Sequence, residues 1–277
     1  MSNVTSSNQA DTADGESFLM LLWTMFRMNF LLMIRYRLNF VMRILAMYVF
    51  FAIIFFGGQR VIQNVGVGIG AIGSTLDAVI VGWFLWTMSQ SAYSGLSSVV
   101  TQESRWGTLE QLYMSPHGFG RIMGAKIVVN LTISLLIGTV LLVLMLLTSR
   151  RSLTLDVVTV LPLVVLTLAS VIGIGFIFGG LALIYKKISS VSSLMQIALI
   201  GLVAAPAADI FGLRFLPLVQ GSSMLQSAMR DGVALWAFEP LQLGILVGTA
   251  VGYLGVGYFV FQICSRVARE RGVMGHY

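Results

Sequence analysis

The sequence predicts an all-α protein that crosses a membrane six times, on the strength of its composition and of where its charges are missing. Of 277 residues, 57% are hydrophobic and only 10% are charged, against roughly a quarter charged in ordinary soluble domains. The mean hydropathy is +0.90. Asp, Glu, Lys and Arg are absent from six stretches, 44–59, 78–102, 127–149, 157–185, 188–208 and 240–265. Their lengths fall near the ~20 residues that a helix needs to cross ~30 Å of hydrocarbon. A soluble enzyme, a secreted disulfide scaffold and a disordered chain are excluded. The single cysteine, Cys264, can form no internal disulfide and reads as a small core residue. The net charge of +6 does not point to nucleic acid, because in a membrane chain basic residues report orientation.

Residues 1–16 are polar, carry Asp11, Asp14 and Glu16, and have no basic start. They are expected as a disordered cytoplasmic tail rather than a signal peptide. From 17 to 37, Ser17, Thr24, Arg27, Arg35 and Asn39 share one arc at 100° per residue. That pattern predicts an interfacial helix whose basic stripe, Arg27 and Arg35, faces water. The alternative, that 18–34 itself crosses, would set Arg27 in mid-membrane at several kcal/mol. The first span is expected at 39–57 and a loop at Gly57–Ser74. Within that loop Gly68-Ile-Gly70-Ala-Ile-Gly73 has the glycine spacing of a dinucleotide site. It has neither the βαβ context nor the acidic partner that such a site needs.

The second and third spans are expected at 77–99 and 127–148, separated by a polar segment, 101–126. Arg150, Arg151 and Asp156 mark a short loop before the fourth span, 157–184, and Lys186-Lys187 a tight turn before the fifth, 189–208. In 209–239 the uncharged run Phe215–Met229 has 15 residues, too few to cross, and predicts a re-entrant or interfacial helical pair. The sixth span is expected at 241–263 and a basic cytoplasmic tail at 266–277. The transmembrane region thus runs from 17 to 265. Six spans put both termini on one side. Twelve basic residues then fall on that side and five on the other, which makes the termini and 101–126 cytoplasmic.

Chemistry of the usual kinds is missing from the sequence. No lysine follows glycine in a Gly-Lys-[Ser/Thr] loop, so the chain holds no nucleotide phosphates of its own. His117 and His276 form no H-E-x-x-H pair, and no G-x-S-x-G elbow occurs. The spans carry no charge at their centres for proton or sodium coupling. No catalytic residue, metal ligand or resident cofactor is expected.

The informative segment reads Glu103-x-Arg105-x-Gly107-Thr108-Leu109-Glu110-x-Leu112-x-x-Ser115-Pro116, then Gly124-x-Lys126. Leu109, Leu112 and Tyr113 recur at helical spacing, with Glu103, Arg105 and Glu110 on the other side. Pro116 and the following glycines end the helix. This residue order resembles the cytoplasmic loop of type-2 ATP-binding-cassette (ABC) export permeases, which include drug, lipid and polysaccharide exporters. Trp106 interrupts an Arg-Gly pair that the family usually keeps contiguous. Phe215-Leu-Pro217-Leu-Val-Gln-Gly221 is similar to the family's proline-containing outer segment, without its frequent Asn-Pro.

The resemblance implies a permease with an N-terminal interfacial helix, six spans, a cytoplasmic coupling helix and a broken outer element before the last span. It implies two copies of a separate ABC ATPase, which binds the ATP and Mg, and a second permease, identical or homologous. Coupling to that ATPase would fall to Glu103, Arg105, Gly107, Thr108, Leu109 and Glu110. A prokaryotic plasma (inner) membrane and contact with membrane lipids are implied, and no nucleic acid. A non-transporting scaffold or sensor, or a secondary carrier, are the other readings. Gly175-x-x-x-Gly179 and Gly244-x-x-x-Gly248-x-x-x-Gly252 permit close helix approach, within the chain or between subunits. Spans without charge suit an amphipathic or lipid-like substrate.

Overall fold

The computed structural model describes residues 3–64, 69–106, 114, 119–150, 153–185, 189–205 and 211–270. Among these the protein is all helical, with no strand. In chain order the helices are α1 (Asn3–Arg35), α2 (Arg37–Asn64), α3 (Ile69–Trp106), α4 (Phe119–Ser149), α5 (Val157–Ile184), α6 (Ser189–Ala204), α7 (Val219–Asp231) and α8 (Pro240–Glu270). Short 3-10 turns at Phe211–Phe215 and Leu235–Ala237 flank α7.

Five segments are long and apolar enough to cross a membrane: Phe18–Arg35, Arg37–Arg60, Ile122–Ser149, Val157–Ile184 and Pro240–Ala268. The chain is a multi-pass membrane protein. Because lipid offers backbone amides no partner, helices persist where turn residues would end them in water. The expected loop at Gly57–Ser74 is corrected accordingly: α2 continues through Gly57 and Gly58 to Asn64, and α3 begins at Ile69. Gly68 lies outside the described residues. Likewise α8 carries on past the expected span end through Arg266 to Glu270.

At the N-terminus, α1 includes the polar residues expected as a tail and is continuous from Asn3. Phe18–Arg35 is among the five crossing-length segments, with a mean hydropathy of 1.4, where the sequence favours an interfacial helix. Tyr36 alone separates α1 from α2. It donates its amide to the Leu32 carbonyl at 2.9 Å, and Phe40 donates to Tyr36 at 3.1 Å, so the two helices are nearly continuous.

α3, at 38 residues the longest helix, is not one of the five. Ser89, Gln90, Ser91 and Ser94 dilute its hydropathy. Most of its hydroxyls are satisfied by their own helix: Thr87 donates to Phe84, Ser89 to Leu85, Ser94 to Gln90 and Thr101 to Ser97. Such back-bonding lets a polar helix sit among apolar ones without needing water. α6 is shorter than the expected fifth span, with 16 residues, about 24 Å at ~1.5 Å per residue.

α3 and α5 form the centre of the bundle. α5 packs most extensively on α8 and then on α3, while α3 also meets α2, α4, α6 and α7. The core runs through Phe51, Leu76, Ile80, Leu85, Leu141, Leu163, Leu168 and Leu225. The α5–α8 seam is backbone on backbone: a Cβ at Gly257 would stand 2.0 Å from the Gly173 carbonyl oxygen, and one at Gly173 2.2 Å from that of Tyr253. Gly244, Gly248 and Gly252, by contrast, have open space around them. α5 starts cleanly because Asp156 caps it, accepting from the Val158 amide at 3.2 Å and from the Thr159 hydroxyl at 2.5 Å.

Of the segment 209–239, the described residues 211–239 form one α-helix between two 3-10 turns, where the sequence predicts a helical pair. That helix, α7, has 13 residues, about 20 Å. α7 lies on α5, α3 and α6. It starts after Leu218, which is buried and held at φ 72°. A Cβ at Gly221 would meet the Thr167 hydroxyl at 1.9 Å, so only glycine lets α7 come this near α5. Ser222 donates to the Val203 carbonyl at 2.9 Å, Thr154 to that of Met229 at 2.8 Å, and Leu235 to the Thr159 hydroxyl at 3.0 Å. Both ends of α7 are thereby pinned.

Overpacking the seam tests this arrangement. Gly257→Leu is expected to lower stability by about 1–3 kcal/mol or more, read as a lower Tm of the detergent-solubilised protein. Gly248→Ala, in open space, should leave Tm unchanged.

Candidate functional site

Two places in the fold combine side chains that a simple apolar bundle does not need. The first is where α3 ends and α4 begins, on either side of 107–118. Glu103, in the last turn of α3, forms an ion pair with Lys126 of α4. Both are largely covered, with side-chain exposures of 14% and 22%. About one turn further along α4, Asn130 donates to the Ser91 carbonyl of α3 at 3.1 Å. A Cβ at Gly95 would stand 2.4 Å from the same Asn130 amide nitrogen, so α3 and α4 are tied closely at two levels.

Of the residues expected to couple to an ATPase, Glu103 is therefore in a defined contact, with the lysine that closes the same sequence motif. Arg105 is in the helical end of α3. Gly107, Thr108, Leu109 and Glu110 lie outside the described residues. Arg27 and Arg35 are exposed on α1, with the Arg35 guanidinium 5.9 Å from the Tyr36 ring centre. α1 packs mainly against α4, which brings it to the helix that leads out of the motif.

The second place is a groove between α2, α3, α6 and α7. One part, about 780 Å³, is lined by Phe50 and Ile54, by Val79, Gly82, Trp83 and Trp86, by Ile200 and Val203, and by Ser223, Gln226, Ser227 and Arg230. A second part, about 420 Å³, is lined by Arg43, Met47, Thr87, Gln90, Ser91, Ser94 and Gln196. Both parts share Phe50, Trp83 and Trp86. These aromatics form a ladder, with ring centres 5.3 Å apart for Phe50–Trp83 and 4.8 Å for Trp83–Trp86. Neither buried indole Nε1 has an acceptor among the described residues, which is uncommon for a buried tryptophan.

The groove is thus apolar and aromatic along its middle and polar toward both ends, with one arginine at each. Arg230 is neutralised by Asp231, 3.1 Å away. The chain matches no protein-family model and no curated protein. Among the described residues, no group of three or more His, Cys, Asp or Glu could hold a metal. The arrangement suits binding of an amphipathic molecule.

Sequence reasoning assigned no role to Trp83, Trp86, Gln90 or Gln196, and Arg43 only an orientation count. A signal was available: Thr87, Gln90, Ser91 and Ser94 recur at helical spacing, so they mark one polar face within an expected span.

The tie between α3 and α4 predicts a reciprocal effect. Glu103→Gln or Lys126→Gln should each lower stability by about 1–3 kcal/mol, since each strands a partly buried charge. The exchanged pair, Glu103→Lys with Lys126→Glu, should recover most of that loss in a thermal melt.

Proposed function

We propose that the chain is the membrane-spanning permease subunit of an ATP-driven exporter of the type-2 ABC class. It moves an amphipathic, lipid-like or drug-like molecule with energy from a separate ATPase. The observation that carries this reading is the Glu103–Lys126 pair. It fastens the two helices on either side of the motif that resembles a coupling loop, and one of those helices, α3, lines the groove.

In this reading α2, α3, α4, α5, α6 and α8 are the six crossings, α1 lies along the cytoplasmic interface, and α7 belongs to the outer element. The termini and 101–126 face the cytoplasm of a prokaryotic inner membrane, on the side richer in basic residues. Two ATPase subunits grip the 103–115 segments of two permeases, identical or homologous. ATP binding draws the ATPases together. Because α3 and α4 are joined by an ion pair and a hydrogen bond, they move as one body, and the α3 wall of the groove moves with them. No bond is made or broken on this chain; ATP and Mg act on the partner.

The test is affinity purification of the tagged protein from its native membrane in mild detergent, with its companions identified by mass spectrometry. A stoichiometric P-loop ATPase is the expected companion. Transport in vesicles without ATP, from a preparation free of any ATPase, would replace the exporter with a secondary carrier. A co-purifying ATPase without substrate movement would leave a scaffold or sensor. Glu110→Lys is expected to reduce ATPase recovery or substrate-stimulated ATP hydrolysis at least tenfold, with membrane insertion unchanged.

A further inference from the structure

Trp83 and Trp86 mark the junction of the two parts of the groove, and the part lined by Arg43 holds a cation without a protein counter-ion among the described residues. Arg43, on the second turn of α2, makes no ion pair or hydrogen bond among the described residues. The side-chain amides of Gln90 on α3 and Gln196 on α6 make none either. Thr87 and Ser94, on the same wall, give their hydroxyl protons to their own helix, so they present oxygen lone pairs and little else. An arginine and two glutamine amides therefore line one space, in which the arginine is the one charged group and has no carboxylate beside it among the described residues. A permanent positive charge without a counter-ion, flanked by amide N–H groups, is what an anionic headgroup completes.

The other arginine of the groove lacks this character. Arg230 is paired with the adjacent Asp231 through both carboxylate oxygens, at 3.1 and 3.3 Å. The neighbouring wall, built from Phe50, Ile54, Val79, Ile200 and Val203, offers hydrocarbon to a tail. Charge and polarity thus give the groove a direction.

We propose that the Arg43 end of the groove binds the phosphate or carboxylate headgroup of an amphiphile whose hydrocarbon chain lies along the Phe50–Trp83–Ile200 wall. This deepens the permease reading and rests on it, since the occupant is the substrate that the permease would move. The substrate class is thereby an anionic amphiphile.

Binding is measured on the full-length protein in neutral maltoside detergent, without ATPase. The probe is terminally brominated undecyl phosphate, whose bromine quenches tryptophan fluorescence, and the corresponding brominated alcohol is its uncharged match. The phosphate is expected to quench saturably and at least about tenfold more tightly than the alcohol. Trp83→Phe combined with Trp86→Phe should remove the saturable component. Arg43→Gln should bring the phosphate to the alcohol's affinity while the alcohol still binds, which shows that the groove is intact. Arg43→Lys should keep part of the preference, as a point charge without the planar fork. Arg230→Gln should keep all of it. On the unaltered protein, added salt should weaken the phosphate and spare the alcohol.

Equal affinity for phosphate and alcohol, a preference that survives Arg43→Gln, a preference lost in Arg230→Gln, or salt insensitivity would each overturn the proposal. Repeating the titration in nanodiscs separates two sources of the same chemistry. Competition by phosphatidylglycerol makes the occupant a bilayer lipid, and lack of competition makes it a single-chain amphiphile; either result keeps an anion at Arg43. A phosphate preference that depends on Arg43, in a protein that recovers no ATPase, would keep the site and remove the exporter.

Discussion

The bundle depends on how closely α8 can lie on α5. In lipid, apolar side chains gain little by leaving one hydrocarbon environment for another, so helices associate through packing and polar contacts. At Gly173 and Gly257 the two backbones meet with no room for a Cβ, which gives many atoms optimal dispersion contact at once. α5 then serves as a rigid post. Its opposite flank receives α3, and its Thr167 side receives the first turn of α7 at Gly221.

That post decides where the polar content of the membrane region goes. α3 lies between α5 and the groove, so its apolar residues, among them Ile80, Leu85 and Met88, turn into the core. Its glutamine and serine face, at Gln90, Ser91 and Ser94, is left to line the groove with α2 and α6. Side chains that hydrogen-bond their own helix make the arrangement tolerable in a low-dielectric setting. Those that cannot do so, Gln90, Gln196 and Arg43, are the ones left with unused capacity at the groove. Arg43 and Gln196 are exposed and Gln90 is half-buried, so all three are open to a molecule that enters the groove.

Polar ties join the helices both near their ends and in mid-helix. Glu103–Lys126 and Asn130–Ser91 couple α3 to α4, and the Tyr48 hydroxyl meets that of Thr148 at 2.6 Å between α2 and α4. At the far end of the bundle, the bonds from Thr154 and Leu235 fasten the exit of α7 to the start of α5.

The sequence by itself determined that the protein is helical and lies in a membrane, because charge-free runs near bilayer length leave the backbone no other way to satisfy its amides. It also located the span Val157–Ile184, marked by Asp156 at one end and Lys186-Lys187 at the other. In 209–239 the sequence reads as a helical pair, where the described residues hold one α-helix, Val219–Asp231, between two 3-10 turns. Glycine misled at Gly57–Ser74: its turn preference is a property of chains in water, and here α2 continues to Asn64. Only the tertiary structure decided which glycines are contacts. Gly173, Gly221 and Gly257 are, whereas the more regular Gly244, Gly248 and Gly252 are not, because spacing along one helix says nothing of where its neighbour lies. The groove, too, was decided there. Arg43, Gln90 and Gln196 come from three helices far apart in the chain, and only their packing brings them to one place.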